Sequence, residues 1–376
     1  MSRKEIESHL DNVPHGPPTD PDVPIHDIWL SEVFCKLKDV SGNAFFPPLP
    51  GEGQIVFSLS IDAFNPYYNK ISGINAASTG IWMVVLNLPS HLCYLHDNLC
   101  FLGAIPGKPS LDQINHYLKL VVEVLLEFWD PGIFFFRTYN CPSGRHFQAM
   151  LVPLVADMLG ARQAIGLPIS PTAHHFCTVC DLDYHDVDIL DPAEWPAKNV
   201  EHMRYFARLW KEAKSEDHQD AIFEACGLQW SALLDLPYWD PVCYTVIDSM
   251  HALDLGLFQT HCIEIFQSNS ARPGGDGTLT KPPLVKTRKK PTKKELNRCL
   301  EVIRENKPNM ALELLSFSRE ALFMICQDYD ICAPGHKLVV GIKWVLAQNI
   351  YHWVSAFASF LTLPDVYSVI HSPAKK

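Results

Sequence analysis

The chain has 376 residues, a formal net charge of −11, 47% hydrophobic residues and 19% charged residues. These proportions are typical of a globular protein with a substantial core and exclude an intrinsically disordered chain. The sequence has no uninterrupted apolar run of membrane-spanning length and no apolar N-terminal stretch that resembles a signal peptide. We therefore expect a soluble intracellular protein without a membrane partner.

Composition shifts divide the chain into four predicted regions. The first 50 residues are rich in proline and predict an irregular arm, and glycine, proline and charge without periodicity predict a linker near the C-terminal third. Helical periodicity follows the linker. The predicted regions are an arm (1–50), a mixed strand and helix domain (51–266), a basic linker (267–294) and a helical tail (295–376).

The first elements of the central region are two strands and a long helix. The alternating segment QIVFSLSID predicts a strand that ends at Asp62, and GIWMVVLNL predicts a second, buried strand. The next segment, CYLHDNLCFLGAI, is compatible with either a strand or a loop. Apolar residues at helical spacing in LDQINHYLKLVVEVLLEFWD predict a helix.

Three further apolar runs complete the central region. They are GIFFFRTY, then HFQAMLVPLVAD, a strand that ends at Asp157, and then CYTVID, a strand that ends at Asp248. Strands, a helix and a further strand in this order predict an α/β protein with a mixed sheet flanked by helices. The order is that of an RNase H-like fold, although other α/β arrangements fit the same periodicity.

Asp62 and Asp157 are candidate ligands for a divalent cation, because each lies at the carboxyl end of an apolar strand. Such ends converge on a crevice, where close carboxylates hold Mg²⁺ or Mn²⁺ for phosphodiester chemistry. The structural alternatives are an Asx turn at DAFNP after Asp62 and a helix start at Asp157. Asp248 and His251 form a similar pair after a third strand, but a lone histidine there is more often structural.

The segment HHFCTVC contains a Cys-x-x-Cys pair, Cys177 and Cys180, which has the spacing of half a zinc site. Zinc, a redox pair and two reduced cysteines that happen to be close are the three interpretations. For zinc, His175 is the third candidate ligand. His251 is the candidate fourth ligand, with His174 and His185 as less favoured ones.

A basic tract lies between residues 281 and 307, which include ten lysine and arginine residues and three glutamates. It predicts either a surface for DNA phosphates or a solvated linker, and KTRKKPTKK also fits a nuclear localisation signal. The tail after it resembles the helix-turn-helix SAP module only faintly, and an ordinary helical hairpin is the alternative. The candidate DNA-binding residues are Lys286, Arg288, Lys289, Lys290, Lys293 and Lys294.

Several segments together resemble the transposases of CACTA-type (En/Spm-like) DNA transposons, over about residues 26 to 266 and in the expected order. They are HDIWLSEVF, GNAFFPP, SIDAFNPYYN, IWMVVLNLPSHL, AIPGKPSLDQINHYLKLVVEVLLEFWDPGI, LVPLVADMLGARQAIG, HHFCTVC, GLQWSALLDLPYWDP and VIDSMHALDLGL.

The resemblance implies an RNase H-like domain that cleaves and joins DNA with divalent metal. It makes Asp62 and Asp157 the first two catalytic acids, matches Cys177 and Cys180 to the family's Cys-x-x-Cys, and matches Asp248 with His251 to its Cys/Asp-x-x-His motif. The family has a third acid, usually glutamate, further along the chain. The glutamates available here, none of which matches that position, are Glu264, Glu295, Glu313 and Glu320.

Three functions are therefore compatible with the sequence. The first is a transposase-derived nuclear protein, truncated or incomplete, that acts on DNA and works alone or as a homo-oligomer. The second is a non-enzymatic DNA-binding or interaction module that keeps the fold and the zinc site. The third is a transposon remnant without function.

Overall fold

The computed structural model describes residues 3–14, 16, 24–65, 77–170, 173–265, 290–333, 339 and 341–360, except the side chains at 111, 264–265 and 357–360. Its contacts divide the chain into two units. The first is Met1–Gly166 with Trp230–Ser268, and the second is Leu167–Gln229 with Asn269–Lys376. Residues 167–229, which the sequence pattern placed in the central domain, thus group with the C-terminal helices.

The first unit is a mixed α/β structure. Its strands are β1 (Glu52–Phe64), β2 (Ser78–Val85), β3 (Cys100–Pro106), β4 (Ile133–Phe135), β5 (Arg145–Ala156) and β6 (Thr245–Ile247). Its helices are α1 (Lys4–Leu10), α2 (Glu32–Cys35), α3 (Ser90–Cys93), α4 (Leu111–Trp129) and α5 (Met158–Ala164), and two π-helical segments (Met250–Phe258 and His261–Ile265) follow β6.

The six strands form one sheet in the order β3-β2-β1-β5-β4, and β6 also pairs with β5. β2 pairs antiparallel with both β1 and β3, whereas β5 runs parallel to β1. β6 is parallel to the C-terminal half of β5, and β4 is antiparallel to its N-terminal half. Parallel pairing therefore places the carboxyl ends of β1, β5 and β6 at one edge of the sheet.

The burial of apolar side chains on β5 and on one face of α4 explains why the pairing register of the sheet is fixed. Strand β5 is an almost continuous apolar run in which Phe147, Leu151 and Leu154 are completely buried. Helix α4 begins with a capping box between Ser110 and Gln113. It buries one stripe at helical spacing, which consists of Ile114, Leu118, Val122 and Leu125.

The N-terminal segment is more ordered than the proline content of residues 1–50 suggested. It contains α1 and α2, and it contributes Leu10, Trp29 and Phe45 to the buried side chains of the first unit. Arg145 on β5 pairs with Asp11 at 2.6 Å and with buried Glu7 at 3.9 Å, which fastens α1 to the sheet. These contacts are long-range, so local composition does not reveal them.

The second unit is helical. Its helices are α6 (Val200–Glu212), α7 (Glu216–Cys226), α8 (Lys293–Glu305), α9 (Met310–Leu314), α10 (Arg319–Asp328) and α11 (Lys343–Phe360). Cys299, Leu314, Leu322 and Leu346 lie in a common buried cluster that joins the last four helices. The described part of the tail predicted from residue 295 is therefore helical, and most of the predicted linker lies outside the described residues. Among the described helices, none is long and apolar enough to cross a membrane.

Leu118→Ala tests the packing of α4 against the sheet. Leu118 is completely buried, so removing its side chain and leaving a cavity should lower the free energy of unfolding by about 2–5 kcal/mol. Leu120 lies on the same helix and is 64% exposed, so Leu120→Ala should change stability by less than about 0.5 kcal/mol. Urea titration followed by circular dichroism measures both values, and equal effects in the two variants would contradict the packing.

Candidate functional site: three strand-end aspartates and a histidine

Three aspartates follow residues that are aligned across the sheet. Ile61 on β1 pairs with Ala156 on β5, and Ala156 pairs with Ile247 on β6. The next residues in the three strands are Asp62, Asp157 and Asp248. Because paired residues of parallel strands lie side by side, the three carboxylates start from neighbouring backbone positions at one edge of the sheet. Their oxygens do not, however, all lie within 4.8 Å of one another.

Asp157 is fixed by the helix that follows it. It is the N-cap of α5, and its Oδ1 accepts a hydrogen bond from the backbone N–H of Gly160 at 2.6 Å. A Cβ at position 160 would lie 3.0 Å from Asp157 Oδ1 and 3.4 Å from the carbonyl oxygen of Ile61, so glycine permits this close approach to the end of β1. The helix-start interpretation of Asp157 is correct, and it is compatible with cation binding because a carboxylate has two oxygens with several lone pairs.

Asp62 lies within β1 rather than in a turn, since the strand continues to Phe64. It is exposed, and it pairs across the antiparallel ladder with Gly80 on β2. The indole of Trp82 fills the space that a side chain at position 80 would take, since a Cβ there would lie 1.9 Å from its ring. The glycine beside Asp62 therefore accommodates Trp82.

Asp248 is held by the sheet and in turn holds His251. Its backbone N–H donates to the carbonyl oxygen of Ala156 at 2.8 Å, which extends the pairing of β5 and β6 by one residue. Its Oδ1 accepts from the N–H of Met250 at 2.9 Å, and its Oδ2 lies 2.6 Å from Nδ1 of His251. The histidine that follows the strand is thus bonded to the aspartate three positions earlier.

The electrostatics place His251 near all three aspartates. The hydrogen bond to Asp248 is the main cause that raises the pKa of His251; partial burial opposes it, and the negative charges of Asp248, Asp62 and Asp157 add to it. The same hydrogen bond lowers the pKa of Asp248. A protonated imidazole beside three carboxylates partly neutralises a site that would otherwise repel the phosphates of a nucleic acid.

The glutamates considered as a third acid are divided between the two units. Glu264 is in the second π-helical segment, where its side chain is not described, and the other three belong to the second unit. Glu295 accepts a hydrogen bond from the N–H of Ser318 at 2.8 Å, and that bond lowers the pKa of Glu295. Glu313 accepts from Asn309 at 2.7 Å. Both carboxylates therefore serve helix starts in the second unit.

The Cys-x-x-Cys pair has thiolate-stabilising geometry. Cys177 Sγ accepts hydrogen bonds from the backbone N–H groups of Val179 and Cys180, each at 3.4 Å. A hydrogen bond from the thiol of Cys180 is the largest cause that lowers the pKa of Cys177 to about 5, and the same contact raises the pKa of Cys180. The pair lies in a turn rather than at a helix start, so the redox interpretation lacks the helix that lowers a thiol pKa in such enzymes.

His175 is buried and carries an unused ring nitrogen. Its imidazole hydrogen-bonds to the backbone of Glu224, while Nδ1 has no hydrogen-bond partner among the described residues. Burial is the main cause that lowers the pKa of His175 to about 3, so the ring is neutral, as a metal ligand requires. The ring packs on Gly227, whose φ of +66° excludes most side chains.

Thiolates and a neutral imidazole are zinc donors, so the chemistry of these side chains fits the predicted ion. The ligand atoms of His175, Cys177 and Cys180 do not, however, all lie within 4.8 Å of one another among the residues described. His251 belongs to the first unit and contacts Asp248. The zinc site therefore stays a prediction, with Cys177 and Cys180 as its best-formed part.

A cluster that the sequence did not predict surrounds Asp183. Nδ1 of His174 is 2.9 Å from Asp183 Oδ2, and Nδ1 of His185 is 3.3 Å from Asp183 Oδ1. Burial opposes ionisation of Asp183, yet the bond to His174 and the charge of Arg319 lower its pKa overall. The available signal was the sequence DLDYHD after the cysteines, but nothing local indicates that Asp183 is buried or that Arg319 reaches it.

The basic tract is described from residue 290 onward. Lys290, Lys293 and Lys294 are exposed, and the last two begin α8. Lys286, Arg288 and Lys289 lie outside the described residues.

No protein-family model matches the chain, and no curated protein matches it. The resemblance to CACTA-type transposases therefore depends on the motifs themselves and on what the geometry adds to them.

The titration of His251 tests the site geometry. In metal-free protein, Asp248→Asn should lower the pKa of His251 most, because it removes both the charge and the strongest hydrogen-bond acceptor. Asp62→Asn and Asp157→Asn should each lower it by less. Histidine ¹³C NMR titration measures these shifts, with His251→Gln for assignment and Glu123→Gln on the exposed face of α4 as the control. An unchanged His251 titration in both Asp62→Asn and Asp157→Asn would contradict the proximity of the three strand ends.

Proposed function

We propose that the protein derives from a CACTA-type transposase and that its first unit is an RNase H-like domain for metal-dependent DNA cleavage and strand transfer. The observation that carries this proposal is the alignment of Ile61, Ala156 and Ile247, which puts three aspartates at neighbouring strand ends. Asp62 and Asp157, which the resemblance makes the first two catalytic acids, are both among them.

The topology supports the finer assignment of the fold. Three antiparallel strands come first, a long helix follows, and two later strands add parallel to the first one, in the spatial order β3-β2-β1-β5-β6. This is the order expected of an RNase H-like sheet, in which the first strand is central and carries the first acid. The short strand β4 is an addition at the other half of β5.

The side chains are suited to hold a hard cation. Asp62 and Asp157 would bind Mg²⁺ or Mn²⁺ through carboxylate oxygens, and Asp248 adds a third carboxylate at the same edge. The bound ion supplies Lewis-acid activation of the phosphodiester and of the attacking oxygen. Asp157, held by Gly160, and Asp248, held by Met250, keep their carboxylates in place before DNA binds.

His251 has a separate task in this proposal. Because its Nδ1 is engaged by Asp248, the rest of the ring can face the DNA, and its side chain is 39% exposed. A positive imidazole at this position attracts a phosphate oxygen and can deliver a proton to a departing 3′ oxygen. Water first attacks a phosphorus and breaks its bond to the 3′ oxygen, which leaves a 3′ hydroxyl and a 5′ phosphate. That hydroxyl then attacks the phosphorus of a second strand and displaces the 3′ oxygen of that strand, which leaves as a hydroxyl.

The non-enzymatic alternative is favoured by a different observation. Lys290, Lys293 and Lys294 are exposed beside a helix start, and they continue a basic tract that also fits nuclear import. Such residues neutralise phosphates without reading bases. A nuclear protein that binds DNA but lacks the third acid would keep these lysines and lose the chemistry.

Zinc is part of the same proposal as a structural ion. Cys177 and Cys180 would hold it, and its contribution is the stability of the segment between β5 and β6 rather than the reaction.

A DNA nicking assay tests the enzymatic proposal. Wild-type protein should nick supercoiled plasmid with Mg²⁺ or Mn²⁺, and Asp62→Asn or Asp157→Asn should lower the rate at least about 100-fold, because each removes a ligand charge from the reaction centre. Glu123→Gln, an exposed change on α4, should leave the rate unaltered.

Two outcomes would contradict the enzymatic proposal. Activity that survives in Asp62→Asn would belong to another site or another protein. No nicking by folded wild-type protein with either metal would leave the DNA-binding alternative.

The salt dependence of DNA binding tests that alternative. Lys290→Gln, Lys293→Gln and Lys294→Gln combined should weaken binding equally for unrelated duplexes. The slope of log K against log salt should fall by about 0.9 for each phosphate that the variant no longer neutralises. Fluorescence anisotropy from low to high salt measures the slope, and a triple variant with the wild-type slope would show that these lysines do not contact DNA.

A further inference from the structure

The second unit contains a compact group of two imidazoles and a carboxylate that no motif assigned. The ligand atoms of His174, Asp183 and His185 all lie within 4.8 Å of one another, and theirs is the one such group among the described residues. Both imidazoles turn Nδ1 toward the same carboxylate, at 2.9 Å and 3.3 Å. Their rings are nearly parallel, with an interplanar angle of 9° and centroids 5.1 Å apart.

The bonding of His185 is incomplete without a further partner. Its side chain is only 10% exposed, and its Nδ1 has no hydrogen-bond partner within the described part of the chain. A buried nitrogen without a partner is costly, and a ligand at that nitrogen removes the cost. Asp183 Oδ1 lies 3.3 Å from this nitrogen, so Nδ1 of His185 points into the group.

The group also carries an excess of negative charge that a cation would balance. Asp183 is completely buried and Asp186 is 7% exposed, and both bind Arg319, whose Nε is 2.8 Å from Asp183 and whose Nη2 is 2.7 Å from Asp186. These three side chains carry two negative charges and one positive charge. A buried excess of negative charge is unfavourable, so a further positive charge beside Asp183 would stabilise the group.

We propose that His174, Asp183 and His185 bind a divalent transition-metal ion of the zinc class, in a site separate from Cys177 and Cys180. Two imidazole nitrogens and one carboxylate oxygen are a donor set for zinc and related ions. Arg319 Nε binds Asp183 Oδ2, the same oxygen that contacts His174, and so fixes the orientation of the carboxylate. His174 is half exposed, which gives the ion a route from solvent.

The site would tie together distant parts of the second unit. Its three ligands come from the segment between α5 and α6, while Arg319 belongs to α10. A protonated His174 could instead supply the positive charge that balances Asp183 and Asp186. That alternative predicts that the group binds no metal. The proposal does not rest on DNA chemistry in the first unit.

Metal counting on the full chain separates these possibilities. The protein is stripped with chelator, reloaded with Zn²⁺ and analysed by plasma mass spectrometry. Cys177→Ser/Cys180→Ser should keep about one equivalent, and His174→Gln/His185→Gln should bind about one equivalent less than wild type. His218→Ala, an exposed histidine on α7, should equal wild type.

Cobalt spectroscopy tests the site by a signal that is gained rather than lost. Co²⁺ bound to Cys177→Ser/Cys180→Ser should lack sulfur-to-metal charge-transfer absorption. Adding His185→Cys to that variant should restore such absorption, because a thiolate would then replace one imidazole at the ion.

Three results would overturn the proposal. They are a cysteine variant that binds no metal, a His185→Cys combination without charge-transfer absorption, and a single wild-type equivalent that is absent from both double variants. The last result would indicate one centre shared with the cysteines.

Discussion

The register of β5 between its two parallel neighbours is the constraint on which the candidate site depends. Phe147, Leu151 and Leu154 are completely buried, and a slip of one residue would turn this whole set to the other face of the sheet. The hydrophobic core therefore fixes which residues stand at the ends of β1, β5 and β6. The positions of Asp62, Asp157 and Asp248 follow from packing, although none of the three contributes to the core.

That arrangement has an electrostatic consequence. Like charges at neighbouring strand ends disfavour one another, and the sheet edge therefore favours any cation that can reach it. His251 meets this need in part, since its pKa is raised mainly by the hydrogen bond to Asp248. Positive and neutral nitrogen groups also surround a carboxylate in the second unit. There, Arg319 and two imidazoles lie beside the buried carboxylate of Asp183. In both places imidazole and carboxylate are paired where a further positive charge would be stabilised.

Local patterns were sufficient for the main elements around the candidate site. Alternation located β1, an apolar run located β5, and helical spacing located α4, because burial of one face imposes a period that is visible in any sequence. The position of Asp157 directly after β5 followed, whereas β1 continues two residues beyond its predicted end at Asp62. The pairing of β6 with β5, which brings Asp248 beside Asp157, could not be predicted from local patterns. It joins residues about ninety positions apart in the sequence.

Side-chain partners were the least predictable part. His175 and His251 were grouped with the cysteines by spacing, whereas His175 packs on Gly227 and His251 bonds to Asp248. The bond of Asp186 to Arg319 spans 133 residues, and no local signal records such a contact.

A crystal of the protein soaked with Mn²⁺ and measured for anomalous scattering tests the central claim most directly. The account predicts an anomalous peak within bonding distance, about 2.2 Å, of carboxylate oxygens from both Asp62 and Asp157. It also predicts that Asp62→Asn weakens or removes the peak while the sheet stays intact. Carboxylates that lie on opposite faces of the sheet, or an ordered sheet edge without manganese, would contradict it.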